Sequence, residues 1–172
     1  MKTAVISYSL TENNDRLAKF IAEMFKLDHI RITEEKKRSN AIIALDMLLG
    51  RTPKTKPSLQ VMDQYDKFIF LAPIWMGKVA SPLRAYLKHL KSLRKSYSFY
   101  SISGGALGPN PKVGKDLQKL TGKKMSNMQV FLIVDLIGGS RKPTSEETSN
   151  YRLSDQDIHQ LSMMIKQALE KA

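Results

Sequence analysis

The chain has no cysteine. That excludes disulfides, thiolate-held zinc, iron–sulfur clusters and thiol nucleophiles, and it fits a reducing compartment. Histidine is scarce: His29, His89 and His159 are the three present. They stand far apart in the sequence and read as structural or surface residues, so no metal site is expected. No apolar run is long. The longest, Phe68–Met76, has nine residues, well short of the roughly 20 that cross a bilayer. The N-terminal M-K-T-A-V-I-S-Y-S-L lacks a small-residue cleavage pattern and reads as a first strand. A soluble cytoplasmic protein with no membrane partner is the expectation. Acidic residues are also few. There are 16 Asp+Glu against 28 Lys+Arg, a formal net charge of +12, which favours anionic partners without bearing on the fold. No GxSxG, P-loop or HExxH pattern occurs.

What is present alternates. The 172 residues suit one domain, 1–172. Lys2–Tyr8 is a short β-rich run. Asn13–Lys26 carries Leu17, Ile21 and Met24 on one helical face. Asp28–Thr33 reads as a weak edge strand, and Asn40–Leu49 as a helix stopped by Gly50 before the turn-rich R-T-P-K-T-K-P-S. Phe68–Ala72 is the strongest strand signal. Ser81–Leu93 reads as a helix with Pro82 in its first turn, where a missing N–H is harmless. Tyr97–Ser103 is a strand, Lys112–Leu120 a helix ended by Gly122, and Val130–Asp135 a continuous apolar strand followed by a polar loop. Ser154 caps a last helix, with Asp155 and Asp157 favourable to its dipole and Ile158, Leu161, Ile165 and Leu169 as its buried stripe. Five strands alternating with five helices imply an α/β protein with a parallel sheet covered on both faces.

Three strand ends carry unusual loops. Ser9-Leu10-Thr11-Glu12-Asn13-Asn14 runs straight into a helix, and its hydroxyls, amides and helix N–H groups can either cap the helix or cradle an anion. Pro73-Ile74-Trp75-Met76-Gly77-Lys78 places the single tryptophan where the strongest strand leaves the sheet. Ser103-Gly104-Gly105-Ala106-Leu107-Gly108 offers backbone that a neighbour can approach closely. A buried tryptophan and ordinary glycine turns account for the last two just as well one at a time. Their coincidence at one end of one sheet suits a ligand with a terminal phosphate and a planar ring.

In these loops the chain resembles the flavodoxin-like family of flavin mononucleotide (FMN) proteins, over nearly its whole length. Ser9, Thr11 and Asn13 match the family's Ser/Thr-x-Thr-Gly-Asn-Thr phosphate loop, and Pro73–Gly77 with Ser81-Pro82-Leu83-Arg84 resembles its second flavin loop. The resemblance implies a strand order of 2-1-3-4-5 and FMN as cofactor. The implied contacts are Ser9, Leu10, Thr11, Glu12, Asn13, Asn14, Pro73, Ile74, Trp75, Met76, Gly77, Lys78, Ser103, Gly104, Gly105 and Gly108. Trp75 would lie along the ring, and the Met76–Gly77 peptide would sit where family members reorient a carbonyl on reduction. No side chain is cast as catalytic and no metal is implied. Two positions depart from the pattern: Glu12 and Asn14 replace its Gly and final Thr. A carboxylate at Glu12 about 6 Å from a phosphate costs about 1–3 kcal/mol unless solvent screens it. Lys78 beside a reduced ring would raise its potential.

The implied function is electron transfer, with an NAD(P)H-dependent FMN or quinone oxidoreductase as the alternative and a non-catalytic binding module as a further one. Two helices carry basic stripes, one with Arg84, Lys88, Lys91 and Lys95, the next with Lys112, Lys115 and Lys119, with Lys123 and Lys124 beyond. These are either solvated faces or a docking surface for an acidic redox partner, contacting Arg84, Lys88, Lys91, Lys112, Lys115 and Lys119. Nucleic acid is not expected, because no aromatic interleaving accompanies the lysines.

Overall fold

A computed structural model of the chain describes residues 1–36, 38–105 and 111–171. The elements in order are β1 (Thr3–Ser7), α1 (Asn13–Phe25), β2 (Asp28–Arg31), β3 (Thr33–Glu34), α2 (Asn40–Leu49), β4 (Thr55–Lys56), a 3₁₀ turn (Leu59–Met62) and β5 (Lys67–Leu71). Then come β6 (Ile74–Trp75), β7 (Lys78–Val79), α3 (Ser81–Leu93), β8 (Ser96–Ser103), α4 (Val113–Thr121), β9 (Asn127–Leu132), α5 (Ile133–Ile137), α6 (Ser145–Asn150) and α7 (Asp155–Glu170). Five strands form one parallel sheet in the order β2-β1-β5-β8-β9. Counting only these five, the order is 2-1-3-4-5, as the resemblance implied.

The central strands are apolar on both sides because helices cover both faces. On β5, Phe68 and Phe70 point into a core shared with Tyr97, Phe99, Leu83, Leu87 and Leu117, beneath α3 and α4. Ile69 and Leu71 point the other way, against Leu17, Ile21, Leu161 and Ile165 of α1 and α7. The α7 cap is a complete capping box: Ser154 Oγ accepts from Asp157 N, and the Asp157 carboxylate accepts from Ser154 N. The order reverses between β1 and β5. Connections leave in opposite directions there and open a crevice at the carboxyl ends of the strands.

Two stretches depart from the sequence reading. The last strand begins at Asn127 and ends at Leu132, and residues 133–135, expected as its end, belong to helix α5 (Ile133–Ile137). A short apolar run cannot by itself separate strand from buried helix. Here Val134 N bonds Gly104 O at 3.2 Å, drawing the chain across the end of β8. The polar stretch after it contains α6, closed by a Thr144–Glu147 capping box. That signature is visible in the sequence, but only Thr148 of this helix is buried, so no apolar periodicity marks it.

Helix α2 is held in an unusual way. It buries only Ile43 and Met47, and its Asp46 accepts from Arg38 Nη1 at 2.6 Å, while Arg38 Nε donates to Glu34 at 2.5 Å. The guanidinium is 9% exposed. A charge buried this far persists only with such complete pairing, so these ion pairs fix where α2 sits.

Candidate functional site

The loops after β1, β5 and β8 meet in a cleft of about 190 Å³ at the carboxyl end of the sheet. Leu10, Thr11, Pro73, Ile74, Trp75, Ser103 and Gly104 line it, together with Ile102, Ile133, Thr148 and Ser149. The last four were not anticipated. Thr148 and Ser149 belong to α6 and Ile133 to α5, the two helices hidden from the sequence reading.

Trp75 is set from behind. Its ring meets Tyr8 edge-on, with centroids 5.7 Å apart at 85°. Tyr8 in turn donates from its hydroxyl to Glu34 at 2.6 Å, and Glu34 is held by Arg38. Burial first, then the Glu34 bond, push the Tyr8 phenol well above its usual range. Burial opposes ionisation of Glu34, but hydrogen bonds from Arg38 and Tyr8 outweigh it and keep the carboxyl below the usual range. The wall of the cleft thus rests on a fully paired polar chain that also anchors α2.

The Trp75 loop is a two-residue hairpin, with Ile74 opposite Val79 and Trp75 opposite Lys78. Met76 and Gly77 both have positive φ, 48° and 75°, the signature of a type I′ turn. Met76 is 64% exposed at its tip. Lys78 does not line the cleft; it lines a separate groove with Arg84, Lys88, Lys91 and Lys119. Lys78 nonetheless stands directly opposite Trp75 on the hairpin.

In the first loop, Glu12 adopts the left-handed region at φ 66° and makes no side-chain cap. It is exposed, so its carboxylate is largely screened. Ser9 Oγ takes the capping role by accepting from Asn14 N at 3.2 Å. Asn13 and Asn14 have their side chains turned inward. Asn13 Nδ2 donates to Tyr151 O and its Oδ1 accepts from Leu153 N; Asn14 bonds both backbone groups of Ile102. Neither side chain is available to a ligand, which leaves the backbone at these positions. Among the described residues, the Thr11 hydroxyl has no hydrogen-bond partner, and Thr11 lines the cleft.

The third loop is tight for a different reason than expected. A Cβ on Gly105, whose φ is +79°, would stand 2.9 Å from Leu132 Cβ and 3.0 Å from Val134 Cγ2. On Gly104 it would stand 3.1 Å from Thr148 Oγ1. These glycines admit β9, α5 and α6, not a ligand alone. Ser103 Oγ accepts from Ile74 N at 2.9 Å and locks the second loop to the third. Gly108 lies outside the described residues.

None of the residues lining the cleft is titratable. It offers an aromatic and aliphatic wall, several hydroxyls and a nearby helix N-terminus, and no acid, base or metal ligand. Among the described residues no cluster of three or more His, Asp or Glu is spaced to hold a metal, and no helix is long and apolar enough to cross a membrane. The histidines each have partners: His29 Nε2 lies 2.8 Å from Ser7 Oγ, which donates to Asp15 at 2.6 Å; His89 bonds Asp63; His159 meets Phe20 edge-on.

No protein-family model matches the chain, and no curated protein matches its sequence. Solved structures do match. A flavoprotein from Lactobacillus acidophilus NCFM, solved in complex with FMN, superposes with a TM-score of 0.63 at 21% identity, over 75% of this chain and 92% of that one. A protein from Bacteroides eggerthii DSM 20697, provisionally named a flavoprotein, gives 0.66 at 16% identity over 96% and 98%. Oxidised flavodoxin 1 from Bacillus cereus gives 0.54 at 13% over 100% and 99%. With the strand order and crossover placement, these likenesses identify the architecture: this chain has the flavodoxin-like fold.

Proposed function

We propose that this protein binds FMN in the cleft and serves as an electron-transfer flavoprotein. The observation that carries the reading is the cleft itself, where Trp75, a hydroxyl-bearing loop at a helix N-terminus and a third strand-end loop converge without any titratable side chain. That donor set fits the cofactor. Its flat ring has an aromatic and aliphatic wall, and its phosphate has the unpartnered Thr11 hydroxyl and the start of α1, where the dipole favours negative charge. Bound FMN supplies the redox chemistry, taking up and giving back electrons. Trp75, fixed by Tyr8, would orient the ring; Ile74, Ile102 and Ile133 would help exclude water; Thr148 and Ser149 would line the remainder of the site. With no acid or base in the cleft, the protein's part is to hold, orient and shield. The matched flavoprotein solved with FMN supports this reading by fold.

The test is reconstitution. Purified protein mixed with FMN and passed over a desalting column is expected to retain about one flavin per chain. It should then be reducible by dithionite and unchanged by NADH or NADPH in air. Steady nicotinamide consumption would select an oxidoreductase instead, and failure to retain flavin would leave a non-catalytic binding module.

A further inference from the structure

Positive charge without a partner collects in one concavity. A groove of about 410 Å³ beside α3 and α4 is lined by Lys78, Arg84, Lys88, Lys91, Asp116 and Lys119. The carboxylate among them is already committed. Asp116 accepts from Arg84 Nη1 at 2.9 and 3.2 Å and from Val79 N at 3.2 Å. Arg84 and Asp116 cancel. Among the described residues, Lys78, Lys88, Lys91 and Lys119 have no ion-pair partner. Arg16, Arg31 and Arg141, by contrast, are paired with Asp155, Asp15 and Glu147.

The groove is also shaped. The stem of Lys91 lies over Gly122, where a Cβ would come within 3.1 Å of Cε and 3.2 Å of Cγ. Glycine at that helix end therefore lets the lysine lie down across the surface. Lys78 is held on the hairpin strand opposite Trp75.

We propose that this groove binds a small pyrophosphate-bearing anion. A concave wall of one sign focuses its field. The one planar fork in it, the Arg84 guanidinium, gives Nη1 to both Asp116 oxygens, so the charge not already neutralised is that of lysine ammonium groups. Lysine ammonium groups bind phosphate oxygens as point charges. The volume is that of a small-molecule site. This departs from both sequence readings of the lysine stripes, solvated faces or an acidic-protein docking surface, and it does not depend on FMN binding.

The test is calorimetric titration of the full chain with sodium pyrophosphate and with ADP. Either anion is expected to bind one per chain in the micromolar range. A tighter fit for ADP marks a nucleotide, and equal affinities mark the free anion. The double variant Lys88→Glu, Lys119→Glu should lose roughly tenfold or more in affinity, while FMN retention stays unchanged. Lys54→Glu, an exposed charge reversal elsewhere in the chain, should bind as the wild type does. Three results would overturn the proposal: no binding of either anion, equal weakening by Lys54→Glu, or binding of a hexaglutamate peptide but not pyrophosphate. An unchanged FMN titration beside any of them shows that the cleft reading stands apart.

Discussion

The side-chain amide of Asn14 pairs with the backbone of Ile102 as a neighbouring strand would. Nδ2 donates to Ile102 O at 2.9 Å, and Oδ1 accepts from Ile102 N at 2.9 Å. Both partners are buried. One residue in the first turn of α1 thereby ties the first loop to the end of β8, and the cleft lies between the elements so joined. Losing both bonds strands two buried backbone groups, each at about 1–3 kcal/mol. Asn14→Ala should lower the unfolding free energy by about 2–4 kcal/mol, read from the urea midpoint of ligand-free protein. A change under about 0.5 kcal/mol would mean that the pair is incidental.

The α6 edge of the cleft is held by charge. Glu147 accepts from Arg141 and from Thr144 N, and these bonds, Arg141 first, hold its carboxyl down to about 2. Its folded value lies below its ordinary one, so its stabilisation is present above about pH 4.5 and lost as pH falls toward 2. Glu147→Gln should raise amide exchange across residues 145–150 at neutral pH while the global unfolding midpoint stays put. It should also weaken FMN retention, because Thr148 and Ser149 line the cleft. Unchanged exchange would contradict this account of α6.

His29 gives a second pH dependence. Burial, its largest influence, depresses its pKa, so the folded protein favours the neutral ring. The unfolded chain then binds the proton more readily, and stability falls as pH drops from about 6.5 toward the depressed value. Thermal midpoints measured from pH 7.5 to 5.5 should decline, and His29→Gln should flatten that decline.

Backbone strain predicts a contrast between two loop positions. Glu12 occupies φ 66° without glycine, while Gly77 has glycine at φ 75°. A left-handed conformation costs an L-residue about 1–2 kcal/mol. Glu12→Gly should therefore stabilise by about 1 kcal/mol, and Gly77→Ala should destabilise by about 1–2 kcal/mol, both read by urea titration.

Much of this was visible in the residues. Asn40–Leu49 and Ser81–Leu93 have the same bounds in the structure as in the sequence, because Gly50 and Pro82 punctuate them. The convergence of Trp75, Thr11 and Ser103 followed from the loops, and the sheet order from the resemblance those loops carry. What stayed hidden depends on contacts distant in sequence. Gly104 and Gly105 read as open to a ligand, yet Thr148, Leu132 and Val134 fill that space. Asn13 and Asn14 read as phosphate contacts, and only the fold shows their amides consumed by Leu153 and Ile102. Arg38 gave no signal, since its partners Glu34 and Asp46 lie on different elements.

The central claim is that Trp75 forms one wall of an FMN site whose phosphate lies at the start of α1. As the single tryptophan, it reports directly. Titrating FMN into the ligand-free protein should quench its fluorescence to saturation at one equivalent, and riboflavin, lacking the phosphate, should bind roughly tenfold or more weakly. Equal affinity for the two would contradict the phosphate site, and fluorescence unaffected by either would contradict the account as a whole.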